Sequence, residues 1–166
     1  MSEPLLPDSV RRVEIDAATK GLPVRIVRTE TIARTAQEAA QAVGAQVSQI
    51  VKSLVFRGRT SGDAILLLIA GDRRVDERKA AAFAGEPIER PDAAFVREAT
   101  GFAIGGVSPL GSLKPLRIAI DAGLLEEEVV WAAAGSPYHV FEARPAMLAE
   151  AVQASVSDLT EAATPG

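Results

Sequence analysis

Cysteine is absent from the sequence, and histidine occurs once, at His139. The first absence excludes disulfides, thiolate zinc sites and a cysteine nucleophile. The second excludes a multi-histidine metal centre. No long apolar run is present either. The longest, Ala64 to Ala70, is far short of the roughly 20 residues that a spanning helix needs. No Lys/Arg block dominates, and the net charge is −4, so the overall balance does not announce a nucleic-acid partner, although a local basic patch is compatible with it. Phosphate-cradling signatures are missing too: there is no Walker A loop, and no Gly-x-Gly-x-x-Gly follows a strand. The N-terminus carries Glu3, Pro4, Pro7 and Asp8 rather than the basic-then-apolar order of a signal peptide, and a cytoplasmic protein is expected.

What is present reads as a globular chain. Its 166 residues suit one domain spanning 1–166, with ends over 1–8 and 160–166 expected to fray. At 48% hydrophobic and 24% charged it can bury a sizeable core. Asp8 and Ser9 are placed to cap a helix with Val10, Val13 and Ala17 on one face, stopped by Gly21. Val24 to Val27 is a short strand. Thr35-Ala36-Gln37-Glu38 is a capping box ahead of an alanine-rich helix that ends at Gly44. Gln49 to Phe56 and Ala64 to Ala70 read as strands joined by a hairpin over Arg57–Asp63, the second apolar throughout and therefore central. Asp76 and Asp92 begin two further helices, closed by Gly85 and Gly101. Leu116–Ile120, Val129–Ala134 and Tyr138–Ala143 are strands, and Pro145 opens a last helix with Met147, Leu148 and Val152 on its buried side. The irregular interleaving predicts a mixed α/β (α+β) fold, a mixed sheet or barrel with packed helices.

Chemistry concentrates in two places. Gly101 to Gly111 packs four glycines and Pro109 into eleven residues. Gly105 and Gly106 permit positive φ or close approach, and Pro109 holds Ser108 extended, so the loop could aim backbone N–H groups at a ligand oxygen. An ordinary tight turn would use the same residues. Lys52 lies between Ile50 and Leu54 on one strand face. On a core face its ammonium needs an anionic partner or a route to solvent, and in a cleft it suits a phosphate or developing oxyanion; on a wet face it is merely solvated. His139 is the one side chain whose ordinary titration falls near neutrality. Ser108 lacks the Gly-x-Ser-x-Gly elbow of a nucleophile and is read as bonding its own loop; Ser136 is a weaker candidate still. No activated Ser/His pair is evident. Asp72, Arg73 and Arg74 form either a solvated turn or, with Arg57 and Arg59, a phosphate rim. Glu126 to Glu128 are an acidic surface run without an assigned role.

Three segments together resemble a known family: Thr35 to Ala40 running into Gln49 to Phe56, then Ala70 to Asp76, then Gly101 to Gly111. Their order and spacing are similar to the YbaK/prolyl-tRNA-synthetase-associated editing domains, over about Leu22 to Leu148. The resemblance implies a mixed α/β fold with a barrel-like sheet and hydrolysis of the ester of mischarged aminoacyl-tRNA, without metal or cofactor. It places the family lysine on Lys52, holding the terminal adenosine or its phosphate. It places the Gly-x-x-x-Pro loop on Gly105, Gly106, Val107, Ser108 and Pro109, orienting the carbonyl or attacking water. Water is the expected attacker. A synthetase or an elongation factor is an implied partner. The tyrosine and aspartate of the cysteinyl-tRNA-hydrolysing branch fall on Thr29 and near Val140, so the chain departs from that branch. His139 beside the missing aspartate, with Phe56, Val107, Thr29, Asp72 and Arg73, is expected to contact substrate. The rivals are a non-catalytic tRNA- or synthetase-binding module, a hydrolase of another small ester, and a structural protein without a pocket.

Overall fold

Seven consecutive apolar residues can form one strand only if both of its faces are covered, and this is how Ala64–Ala70 is used. The computed structural model describes residues 6–162. From the N-terminus the order is α1 (Asp8–Thr19), β1 (Arg25–Arg28), α2 (Ala36–Val43), β2 (Val51–Gly58), β3 (Ala64–Ala70), α3 (Glu77–Ala84), β4 (Ile88–Glu89), α4 (Ala93–Thr100), β5 (Arg117–Asp121), β6 (Val130–Ser136), β7 (His139–Ala143), α5 (Pro145–Ala151) and β8 (Ser155–Ser157). Short 3-10 turns occupy Val47–Gln49 and Ala122–Glu126.

The strands form two sheets, ordered β1-β7-β6 and β4-β2-β3-β5-β8. β3 is central in the larger one, antiparallel to β2 and parallel to β5. Leu66, Leu68 and Ala70 on one side join Val13, Phe102, Leu110 and Phe141 in the main core. Ile65, Leu67 and Ile69 on the other pack with Phe56 and with Ala80 and Ala84 of α3. A single parallel bridge, Ile50 to Trp131, links the two sheets. The mixed α/β class is as expected, but the sheets do not close into a barrel. Closure needs a continuous ladder, and one bridge does not supply it.

The local signals act as their chemistry dictates. Thr35 accepts from the Glu38 N–H, and Asp76 and Asp92 accept from the first turns of α3 and α4. Gly44, Gly85 and Gly101 close their helices with positive φ. Three expectations are corrected. Pro7, not Asp8 or Ser9, is the cap of α1, and no side chain caps that end. Met147 is 40% exposed, because α5 turns Pro145, Leu148 and Ala149 inward instead. Gln49 belongs to a 3-10 turn ahead of β2. β4 and β8 have two and three residues, too short for a periodic pattern. Of the ends expected to fray, residues 1–5 and 163–166 lie outside the described residues. Asp8 opens α1, and Thr160 is buried and bridges Val75.

Candidate functional site

β2 has β3 along one edge, but on the other β4 pairs only with Arg57 and Gly58. The stretch Lys52–Phe56 therefore has an open edge, and a cavity of about 710 Å³ lies along it. Its walls come from β2, the start of α2, the glycine loop and the β6–β7 hairpin. Most are small or apolar: Val51, Val55, Val107, Ala132, Ala133 and Val140. Three cations, Lys52, Arg34 and Arg90, also line it, and no Asp or Glu does. That is a local inversion of the chain's negative balance, the condition under which a cleft concentrates an anionic ligand.

Lys52 sits between the two possibilities its pattern allowed. Its face carries Leu54 and Phe56 into the second core, but Lys52 itself is half-buried and its Nζ donates to the Arg73 carbonyl at 2.8 Å. Desolvation lowers its pKa below the usual lysine value; Asp72 acts to raise it and Arg74 to lower it further. Asp72 and Arg73 do not line the cavity. Arg73 acts through its backbone on Lys52, and Asp72 through its charge. Arg90 lies over the Phe56 ring, 5.3 Å from the centroid.

The glycine loop is held from below by α1. Arg12 donates from Nε to the Gly111 carbonyl (3.1 Å) and from Nη2 to the Gly101 carbonyl (3.0 Å), and lies over the Phe102 ring. Asp16 accepts from the Gly111 N–H at 2.8 Å. Ser108 is fully buried, its hydroxyl accepting from the Leu110 N–H, as an internal loop bond requires. Gly105 and Val107 reach the cavity; Gly106, Ser108 and Pro109 stand behind it. Among the described residues the N–H groups of Gly105 and Val107 donate to no protein acceptor, whereas that of Gly106 is used on Ala103. Two main-chain donors without a protein partner thus belong to residues of the cavity wall that Lys52, Arg34 and Arg90 share. We expect Arg12→Ala to lower thermal stability by about 1–3 kcal/mol, since two partly buried bonds to carbonyls are lost together. Any activity should fall more than stability does, and melting curves beside rate measurements check this.

The β6–β7 hairpin closes the far side. A register shift between Ala133 and Ser136, with Gly135 at φ 99°, turns Ser136 back towards His139. Ser136 Oγ and His139 Nδ1 are 2.6 Å apart, and Oγ accepts from the Tyr138 N–H at 3.0 Å. A Ser/His pair therefore exists where none was evident in sequence. The tight turn brings positions i and i+3 together, and a Ser-Pro-Tyr-His run in a turn was the available signal. His139 is 6% exposed. Burial lowers its pKa first and Arg28 second. Thr29 is buried and lies outside the cavity, its one hydroxyl proton within reach of the Thr31 carbonyl at 2.9 Å and of the Tyr138 carbonyl at 3.2 Å. Sequence reading missed Arg34, Arg90, Arg12 and Asp16, which carry no local motif. Among the described residues no three His, Cys, Asp or Glu side chains converge, and no helix is long and apolar enough to cross a membrane.

The fold and cavity define a mixed α/β protein whose pocket joins cations to unpaired main-chain donors over a small apolar floor. Residues 30–151 match the model of the aminoacyl-tRNA editing domain. This chain belongs to that family. It is 34% identical over 126 residues to YwhH of Bacillus subtilis, an uncharacterised protein, covering 75% of this chain and 79% of that one. It is 34% identical over 92 residues to the proline–tRNA ligase of Thermosipho africanus, covering 55% of this chain but only 16% of the ligase. A solved structure provisionally described as a trans-editing enzyme for prolyl tRNA synthetase superposes with a TM-score of 0.88 at 46% identity, covering 95% of this chain and 99% of that one. A second, of the hypothetical protein APE2540, gives 0.84 at 31% identity, covering 90% of this chain and 99% of the other.

Proposed function

We propose that this chain is a trans-acting deacylase, a single editing unit that hydrolyses the ester of mischarged aminoacyl-tRNA, with proline acceptors the first substrates to test. The observation that carries the reading is the cavity: three cations and two unpaired N–H groups around a floor of Ala and Val. The likeness to a part of proline–tRNA ligases and to a structure described as a trans-editing enzyme supports the choice of acceptor. In this reading Lys52, with Arg34 and Arg90, holds the phosphates and ribose of the tRNA end. The N–H groups of Gly105 and Val107 receive the negative charge that develops on the ester carbonyl oxygen. Water adds to the carbonyl carbon. The ester C–O bond then breaks, the terminal ribose oxygen leaves with a proton, and the products are a free amino acid and a reusable tRNA. A size-selective second site is useful here, because one methylene in a binding pocket is worth only ~1–3 kcal/mol to a synthetase. A synthetase or elongation factor would deliver the tRNA.

The test is deacylation of alanyl-, cysteinyl- and seryl-tRNA on proline and threonine acceptors. Hydrolysis of one or a few members supports the reading. Retained tRNA binding with no hydrolysis would assign the chain to non-catalytic binding modules, and action on free esters without regard to tRNA would make it a different hydrolase.

His139 lines the cavity and, in this reading, helps set which acyl group fits. His139→Ala should relax preference across the panel by about tenfold, the scale of one lost polar contact; unchanged rate and preference would remove His139 from the site. Its titration has a definite sign. The folded pKa lies below the ordinary 6.5, so the unfolded chain binds the proton more readily. The stability contributed by neutral His139 is present above that value and is lost as pH falls through it towards the folded pKa. Melting temperature against pH should lose this acid-side slope in His139→Ala.

A further inference from the structure

Ser136 is a hydrogen-bonding residue in the cavity wall to which the reading above gives no task. Its oxygen accepts from the Tyr138 N–H at 3.0 Å and lies 2.6 Å from His139 Nδ1. A hydroxyl has one proton to donate. Among the described residues that proton has one nearby acceptor, the Nδ1 lone pair. If Nδ1 carried a proton instead, the oxygen would accept twice and its own proton would have no protein partner. The other ring nitrogen is placed differently. Nε2 makes no hydrogen bond to the protein, yet it is not among the sealed, unpartnered polar atoms of the described residues, of which Ser53 Oγ is the single case. It therefore keeps some accessible surface, and the ring it belongs to lines the cavity.

We propose that Ser136 is a positioning residue, whose hydroxyl donates to Nδ1 and so fixes His139 with its proton on Nε2, pointing a hydrogen-bond donor into the cavity. The inference rests on the deacylase reading for its ligand but on geometry for its chemistry. A donor at this end of the cavity selects an acceptor oxygen, such as the acyl carbonyl or a terminal ribose oxygen. It gives no lodging to an α-ammonium group, which must lie towards carbonyls elsewhere in the wall. Burial first, and second the charge of Arg28, the register partner of His139 on β1, lower the ring's pKa and so favour the neutral imidazole near pH 7. The hairpin geometry is enforced from two sides. A Cβ at Gly135 would lie 2.6 Å from the Ser9 carbonyl oxygen, and one at Gly106 would lie 2.8 Å from Ser136 Cα. Neither α1 nor the glycine loop leaves the Ser136 backbone room to shift.

Because the chain has one histidine, its imidazole can be read directly by long-range proton–nitrogen NMR of the 15N-labelled full chain at neutral pH. The expected wild-type spectrum shows a protonated Nε2 and an unprotonated, hydrogen-bonded Nδ1. A proton on Nδ1 overturns the proposal outright, whatever the protein hydrolyses. Ser136→Ala should move the Nδ1 resonance towards that of an unbonded imidazole. It should also lower kcat/KM on the preferred aminoacyl-tRNA about tenfold with relaxed preference, matching His139→Ala, the two changes together costing no more than one. Ser136→Thr, which keeps the hydroxyl, should restore the spectrum and most of the rate. Ser136→Ala with wild-type kcat/KM and preference, or an acyl group trapped on Ser136, overturns the positioning role. A wild-type chain that deacylates nothing defeats the functional reading while the spectrum still decides the tautomer.

Discussion

Replacing Lys52 with alanine is expected to lower kcat/KM for aminoacyl-tRNA hydrolysis by about two orders of magnitude, the scale of a lost charge-assisted bond to phosphate in a partly desolvated site. One of the three ammonium donors is used on the Arg73 carbonyl, which fixes the side chain and leaves two for the ligand. The fold should survive. Removing the side chain costs one hydrogen bond, about 1 kcal/mol, and relieves the desolvation that lowers the lysine pKa. The loss should fall on binding more than on the bond-breaking step, because in the proposed reading the cation holds the tRNA end rather than the carbonyl. Trp131, the one tryptophan, lines the cavity and can report that binding by fluorescence. Lys52→Arg should restore the charge but only part of the affinity, since a planar fork cannot reproduce the bond to Arg73 and still present its donors. The pH dependence follows in sign. Anchoring is complete while the ammonium is charged and is lost as pH rises through a value below the ordinary 10.5. A Lys52→Ala protein with wild-type kcat/KM and wild-type tRNA binding would remove the lysine from the mechanism.

Gly106→Ala should damage the loop severely. Its Cβ would meet the Cα, N and C of Ser136 at 2.8, 2.9 and 3.0 Å, all backbone atoms of a hairpin that cannot rotate away. Overpacking of this kind costs about 1–3 kcal/mol in stability. The larger effect is positional. The loop must lift from the hairpin, which in the proposed reading carries the Gly105 and Val107 N–H groups off the ester carbonyl, and removing an oxyanion donor typically costs ~100-fold or more in rate. Gly105→Ala is the informative contrast. There a Cβ would meet nothing within 4 Å, but the residue holds φ 97°. It should lose about 1–3 kcal/mol of stability to backbone strain without displacing the hairpin. Melting and single-turnover rates of the two variants separate the cases: a Gly106→Ala protein with wild-type rate would mean the loop donors play no part.

Much of the fold was legible because local chemistry and tertiary demand agree. The capping residues Thr35, Asp76 and Asp92, and the glycine stops at 44, 85 and 101, act within one turn of chain, so sequence suffices. The unbroken apolar run of β3 announces a strand covered on both faces. Met147 failed for the complementary reason. Several faces of α5 satisfy its short apolar pattern, and only its neighbours select one.

The candidate site divides along the same line. The sequence alone determined the mixed α/β class, the glycine loop and Lys52 as points of interest, and the absence of thiolate chemistry. It also bore the family resemblance. Those depend on residue type and on spacing along the chain. Only the tertiary structure decided that Arg34 and Arg90 join Lys52 around one cavity, and that Arg12 and Asp16 of α1 hold the glycine loop at its base. It also decided that Asp72, Arg73 and Thr29 stand outside the cavity wall, and that Ser136 meets His139. Each of these relations joins elements through the packing of two sheets, or through a bulged turn whose geometry a neighbouring helix enforces. A contact between residues 99 positions apart, as between Arg12 and Gly111, leaves no periodic trace in the chain. It exists because burial of the shared core brings α1 beneath the loop.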